Sequence, residues 1–480
     1  MIDRRAVLAG LGATAVAATT VPTAGDLAGD LAILREALAL HPGLYRYNRP
    51  EAIDDRLAAL RPAWLAASDL AARYLLLSRF LATIRCGHSY CNFFNQRRAV
   101  ATALFDRPTL LPFQFAWVNG QMVVLRDDSG LGLLPRGTLV ASVNDVPTPR
   151  LLSALLPYAR ADGHNDAKRV ALLEVRGHER IEYFDVFHGL TARAPSAGGH
   201  ELRIRRPDRR ALTVTVPAWR PAQRVAVPSS PDQAGDRPIW TWAERPDRVV
   251  VLTMPSWALY DSKWDWRGWL DQRLNGLAGA RGLVVDLRAN EGGEDCGDRL
   301  LARLATAPIA QPGAERRVRF RRTPATLDPY LDTWDQSFRT LGEGGDDLGG
   351  GWFRLGGGRG DATIAPVGPR LALPVAVLIG PTNSSATFQF ADKVRRHGLG
   401  RLFGEPTGGN QRGINGGCFF FVRLPASGIE FDLPLIGYFP PGRPPDAGLA
   451  PDMPVTPTIA DIAAGRDPAM ARAVQWALRA

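Results

Sequence analysis

The chain has 480 residues, 45% of them hydrophobic and 22% charged, the balance of a soluble protein long enough for two or three domains and a sizeable core. Its formal charge is +10, but the basic residues are nearly all arginines scattered along the sequence, with lysine at Lys168, Lys263 and Lys393 alone. That pattern excludes a clustered nucleic-acid patch, and the absence of a Gly-Lys-Ser/Thr run excludes a phosphate loop.

At the amino terminus Arg4 and Arg5 precede an apolar stretch from Ala6 to about Ala18, followed by small residues. This is the layout of an export signal over 1–24, and the paired arginines resemble a twin-arginine signal, with cleavage expected near Ala24. About 13 apolar residues are too few to span a bilayer, which needs roughly 20, and no later stretch is longer; no stable membrane span is expected after signal removal. Export to a periplasmic or extracellular compartment follows. Cys86, Cys91, Cys296 and Cys418 fit no zinc spacing, so no metal is expected. A disulfide from Cys86 to Cys91, or from either to a distant cysteine, is compatible with export, but four cysteines do not make a disulfide scaffold.

From Asp26 to Leu81 apolar residues recur every three to four positions: Leu31, Leu34 and Leu38, then Ile53, Leu57 and Leu60, then Leu70, Tyr74, Leu77 and Leu81. Pro42, Pro50 and Pro62 punctuate them. The spacing predicts a helical domain over 25–100, closing on ATIRCGHSYCNFF, where His88 stands at an exposed junction. Over 105–217 the pattern turns to short β runs, FQFAWV, MVVLR, TLVASVN, ELRIRR and ALTVTVPA, separated by Asn-Gly and Pro-Asp turns. Residues 218–240, with Pro228, Ser229, Ser230 and Pro231 at their centre, read as a linker. Strands and helices then alternate through 241–480, which predicts a mixed sheet flanked by helices and an α/β fold class. Within that part, residues 341–360 hold ten glycines in 20 positions and read as a mobile surface excursion.

Two turns in this last region carry chemistry. The apolar run LALPVAVLIG reads as a doubly buried strand, and Ala386, Phe388, Phe390, Ala391 and Val394 give the following helix an apolar side. Between them lie Asn383, Ser384 and Ser385, at the positive end of the helix dipole beside unpaired backbone N–H groups. A serine there is placed to attack; equally, Ser384 or Asn383 could serve as a helix cap. In VVDLRANEGG, Gly292 and Gly293 follow a second buried strand, and such glycines let backbone N–H groups point at developing negative charge.

DLRANEGG, VLIGPTNSSATFQFA, FGEPTGGNQRGINGG and DAGLAPDMPV, in this order and spacing, resemble the S41-type tail-specific or C-terminal-processing peptidase family and its tricorn-like branch. The resemblance covers Arg248 to the carboxy terminus. It implies a ClpP/crotonase-like α/β catalytic domain over 241–480, and more weakly that 105–217 is PDZ-like. The family pattern selects Ser385 over Ser384 as nucleophile, with Ala386, Gly292 and Gly293 forming the oxyanion hole. Where members with a serine-lysine dyad carry lysine, this chain has Gly409-Asn410, and Lys393 lies about 12 Å along the helix from Ser385, out of reach of it. His88, in CGHSY, matches the segment that bears the base in the tricorn-like branch. Asp446, one position from where relatives carry a glutamate, ranks ahead of Glu405 as the acid orienting it. The implied activity is serine endopeptidase hydrolysis of peptides or unfolded proteins, without cofactor; the alternatives are an inactive peptide- or ligand-binding member of the fold and a small-ester hydrolase.

Overall fold

The structure, a computed structural model, describes residues 24–480 apart from 193, 194, 196, 197, 225–234, 311–313 and 357–362. The export-signal stretch and the centre of the expected linker lie outside the described residues. Mixed α/β architecture runs through a chain that divides into two compact units, 1–103 with 315–356 and 415–439, and 104–314 with 357–414 and 440–480.

In the first unit the predicted periodicities become the helices Ala24–Ala39, Pro50–Ala66 and Leu70–Ala82, burying Leu34, Leu60, Trp64, Tyr74 and Leu77. Pro50 starts its helix, where a missing N–H costs nothing, whereas Pro62 lies inside that helix near its end instead of terminating it. The same unit holds an antiparallel sheet in the order Leu331–Asp332, Asn415–Arg423, Glu430–Phe439, Glu315–Val318, Trp352–Arg354, Asp346–Gly349. The last two strands lie within the glycine-rich run, of which residues 341–356 are described. Residues 346–354 form a hairpin at the exposed edge of the sheet, and Gly349, Gly350 and Gly351 take φ of 79°, 60° and 78°, a turn that side chains disfavour.

In the second unit the β runs pair as an antiparallel sheet of Phe113–Val118, Gln121–Asp127, Leu139–Val143, His200–Arg205 and Ala211–Val216. Short helices Asp166–Leu172 and Tyr183–Thr191 interrupt the strands, an addition the β pattern did not signal. The other sheet has the order Met453–Pro454, Arg401–Gly404, Val375–Ile379, Gly282–Asp286, Val249–Thr253, Thr241–Glu244, parallel except at the Thr241–Glu244 edge. Val375, Val377 and Ile379 pack with Leu270, Leu301, Phe390 and Val394 on one face; Ala376 and Leu378 pack with Ala473 and Val474 of helix Pro468–Ala477 on the other. Burial on both faces is why this strand reads as an unbroken apolar run.

All four cysteines are present as thiols. Among the described residues no helix is long and apolar enough to cross a membrane.

Two buried histidines make stability acid-sensitive. Burial lowers His41 to about 3 and His188 to about 4, so each is neutral in the folded chain. The unfolded chain therefore binds more protons below its ordinary histidine pKa, and stability is lost as pH falls from about 6.5 toward the folded values. At pH 5 each histidine should cost about 2 kcal/mol relative to pH 7. Thermal unfolding between pH 7 and 5 checks this, and His188→Phe should flatten the slope.

Candidate functional site

The serine turn is built by its neighbours rather than by capping. Strand Val375–Ile379 ends at Gly380, and fully buried Asn383 closes the turn by accepting from the Gly380 N–H through Oδ1 at 2.8 Å. Its Nδ2 donates to the carbonyls of Leu287 and Asn290, at 2.5 and 2.8 Å, and its own carbonyl accepts from Gly408 and Gly409. One residue thus ties three loops. Ser384 occupies the N-cap position without a side-chain capping bond; its hydroxyl donates to the Glu291 carbonyl at 3.1 Å.

Ser385 has φ +50°, the left-handed region a non-glycine residue rarely enters. Such strain persists where surrounding contacts over-determine it, and the Asn383 bonds do that here. Ser385 is half-exposed at the start of helix Ser385–Arg396, and its hydroxyl has no hydrogen-bond partner among the described residues of its own unit.

Across from it, Gly292 and Gly293 take φ of 120° and 136°. A Cβ on Gly292 would lie 2.9 Å from the Ser384 carbonyl oxygen, 2.9 Å from Ser385 Cβ and 3.1 Å from the Ala386 nitrogen. The missing side chain keeps open a space bordered by the serine and the Ala386 N–H. The Gly292 N–H is donated to Asn290 Oδ1 at 2.9 Å. Gly293 forms an isolated bridge with Trp257 that uses the flanking groups, Trp257 N to Gly292 O and Glu294 N to Trp257 O, and leaves its own N–H out.

Sequence reasoning passed over three residues beneath this turn. Lys168, buried to 1% exposure, donates to Glu291 Oε1 at 2.6 Å, the Thr382 carbonyl at 2.8 Å and Ser384 Oγ at 3.2 Å. Arg160 meets the same Glu291 oxygen at 2.9 Å. The local signal was Asn165, which caps helix Asp166–Leu172 and donates to the carbonyls of Thr407 and Gly409. Phe388, where many relatives carry glutamate, is buried against Gly409, whose Cβ would stand 2.5 Å from its ring.

The expected acids both lie in this unit. Asp446 meets His164 Nδ1 at 2.5 Å and accepts from the His164 N–H at 3.0 Å and Asn410 Nδ2 at 2.7 Å, with Arg412 at 3.7 Å. Burial would raise its pKa, but these bonds outweigh burial and hold the carboxyl below its usual range. Glu405 receives Thr456 Oγ1 at 3.4 Å; burial, then the Glu174 carboxylate, push its pKa up.

His88 belongs to the first unit, at the end of the helical segment. His41 accepts the Gly43 N–H at Nδ1, 2.9 Å, so its proton is on Nε2 and is donated to Ser89 Oγ at 2.8 Å. Cys86 Sγ accepts from Asn415 Nδ2 at 3.3 Å. Buried residues on both sides of His88 are therefore held, while its half-buried ring lies against Phe419, centroids 5.9 Å apart, and above Gly416. His41, neutral and buried, supports this segment and is no candidate base. Among the described residues no group of three or more His, Cys, Asp or Glu could hold a metal ion.

The model of peptidase family S41 matches residues 248–455. Among solved structures, mature CPAF complexed with lactacystin is 15% identical, covers 95% of this chain and 98% of its own, and superposes with a TM-score of 0.64. A second structure of mature CPAF, also 15% identical, covers 92% of this chain and 94% of its own at 0.61. The photosystem II D1 C-terminal processing protease is 14% identical over 90% of this chain and 93% of its own, with a TM-score of 0.39. The two CPAF structures establish a likeness of fold alone. No curated protein sequence matches the chain.

Asn383→Ala removes two donated bonds and one accepted bond from a fully buried turn. It should destabilise the second unit by roughly 2–4 kcal/mol, read as a lowered urea midpoint.

Proposed function

We propose that this chain, whose residues 248–455 match the model of peptidase family S41, is an exported serine endopeptidase acting on peptides or unfolded proteins. The observation that carries the reading is the strained Ser385, half-exposed beside a space that Gly292 keeps open next to the Ala386 N–H.

In this reading Ser385 Oγ attacks the scissile carbonyl carbon while His88 takes the hydroxyl proton. The carbonyl oxygen, now negative, enters the space beside Gly292 and accepts from the Ala386 and Gly293 N–H groups. Gly292 supplies room rather than a donor, because its N–H is committed to Asn290. Collapse of the tetrahedral intermediate breaks the C–N bond as the imidazolium returns its proton to the leaving amine, and water, deprotonated by the same imidazole, releases the acyl-enzyme. Asp446 is the better acid for orienting the base because it is held ionised, whereas Glu405 is pushed toward its neutral form. The antiparallel sheet of 105–217 takes the PDZ-like role of receiving an extended peptide by strand addition. Residues 1–24 direct export.

One observation favours the second reading, an inactive peptide-binding member of the fold: Asp446 is already occupied by His164 and Asn410. A fluorophosphonate probe separates the two. Wild type and Ser384→Ala should take the label and Ser385→Ala should not. Ser385→Ala should also lower peptide-library turnover at neutral pH by about 10⁴-fold or more, with a comparable loss in His88→Ala. Label persisting in Ser385→Ala refutes the nucleophile, and full turnover in His88→Ala refutes the base. Turnover of small esters without peptides would mark an esterase.

A further inference from the structure

We propose that Lys168 is a positioning residue for the oxyanion site, a buried ammonium that clamps the Glu291–Gly293 loop to the serine turn. The proposal rests on the peptidase reading above, because it assigns a purpose to a group that the serine–histidine chemistry does not use.

The geometry joins two loops that nothing in the strands themselves holds at a fixed spacing. Lys168 Nζ has three N–H groups and gives each to an acceptor on one of the two turns: Glu291 Oε1 at 2.6 Å, the Thr382 carbonyl at 2.8 Å and Ser384 Oγ at 3.2 Å. Ser384, having accepted, donates its own hydroxyl proton to the Glu291 backbone carbonyl at 3.1 Å. Glu291 is therefore gripped at its carboxylate and its backbone, and it directly precedes Gly292. Thr382 and Ser384 flank Asn383, and Ser384 directly precedes Ser385 and Ala386. A displacement of either loop stretches bonds to the same nitrogen.

The lysine is itself immobilised. Its side chain is buried, its Cδ would stand 2.8 Å from a Cβ on Gly408, and Asn165, which caps its helix, is bonded to the carbonyls of Thr407 and Gly409. Arg160 adds a second cation to Glu291, 2.9 Å from the oxygen that Lys168 uses. Burial pulls the Lys168 pKa down, and the Glu291 carboxylate works against it. A buried ammonium with all three hydrogens donated has no lone pair to accept a proton, which separates a clamp from the serine-lysine base that the proximity to Ser384 could suggest. The residue comes from the 105–217 segment, so that segment contributes to catalysis besides any peptide it receives.

An oxyanion donor is worth about 10²- to 10³-fold in kcat when it sits at the right distance, so a loosened clamp should be read in kcat rather than KM. In the full chain, Lys168→Met and Glu291→Ala should each lower kcat for a peptide substrate by roughly 10²-fold, leave KM within about threefold, and in combination lose little more than either alone. The limb of the pH–rate profile set by the His88 base should not move. Glu291 has a side chain 40% exposed, so its variant keeps the test alive should Lys168→Met fail to fold. Folded Glu291→Ala with kcat within about twofold of wild type, losses that multiply in the double variant, or a loss in KM alone overturns the proposal. So does a pH limb that moves in Lys168→Arg, which would make the lysine a base. Ser385→Ala run alongside separates the two levels: if it retains turnover the peptidase reading fails, and if it alone is inactive the clamp fails.

Discussion

The parallel pairing of Val375–Ile379 with Gly282–Asp286 is the constraint on which the proposed chemistry depends. Leu378 is opposite Asp286 in the ladder, so both strands release their chains at the same edge and at nearly the same level. A parallel sheet concentrates its connecting turns at the carboxyl ends of its strands, and the turns of adjacent strands become neighbours without any side chain specifying it. What side chains add is spacing. Asn383 bonds the serine turn to Leu287 and Asn290, and the backbone of Gly292 then comes so close to Ser385 that only a hydrogen fits between them. The left-handed conformation of Ser385 is stable because both sides of its turn are already fixed.

The parts of this arrangement that were legible in the sequence are those where a residue reports its own surroundings. A strand buried on both faces must be apolar throughout, so LALPVAVLIG announced itself, and helix Ser385–Arg396 did so through Ala386, Phe390 and Val394. The amino-terminal helices followed from the same logic, although Pro62 shows that a proline near a helix end can be absorbed. Lys168 was illegible for the opposite reason. Its helix, Asp166–Leu172, is only seven residues long and lies among β runs, and its partner Glu291 is 123 residues away in the sequence. A lysine in such a setting looks like a solvated one until the acceptors around it are known. The glycine-rich run was ambiguous in another way: glycine density reads as looseness, and three successive positive φ angles are also what a tight hairpin turn requires.

The pairing partner of Asp446 was equally invisible from sequence. A carboxylate near a family position suggests the family role, yet His164 comes from the β segment and occupies it through both ring and backbone. Within its own unit the 105–217 segment thus meets the later part of the chain at two points, Lys168 at the serine turn and His164 at Asp446. Neither contact depends on whether that segment also receives a peptide.

The first unit is assembled from three stretches of chain, the last of them 415–439. Asn415, Gly416 and Phe419, which surround the His88 segment, emerge from the ribosome after the whole serine turn has been made. A nascent or carboxy-terminally truncated chain ending before residue 415 owns both the hydroxyl and the imidazole but lacks the walls that seat the latter. Order of synthesis therefore leaves the histidine's setting incomplete until translation has almost finished.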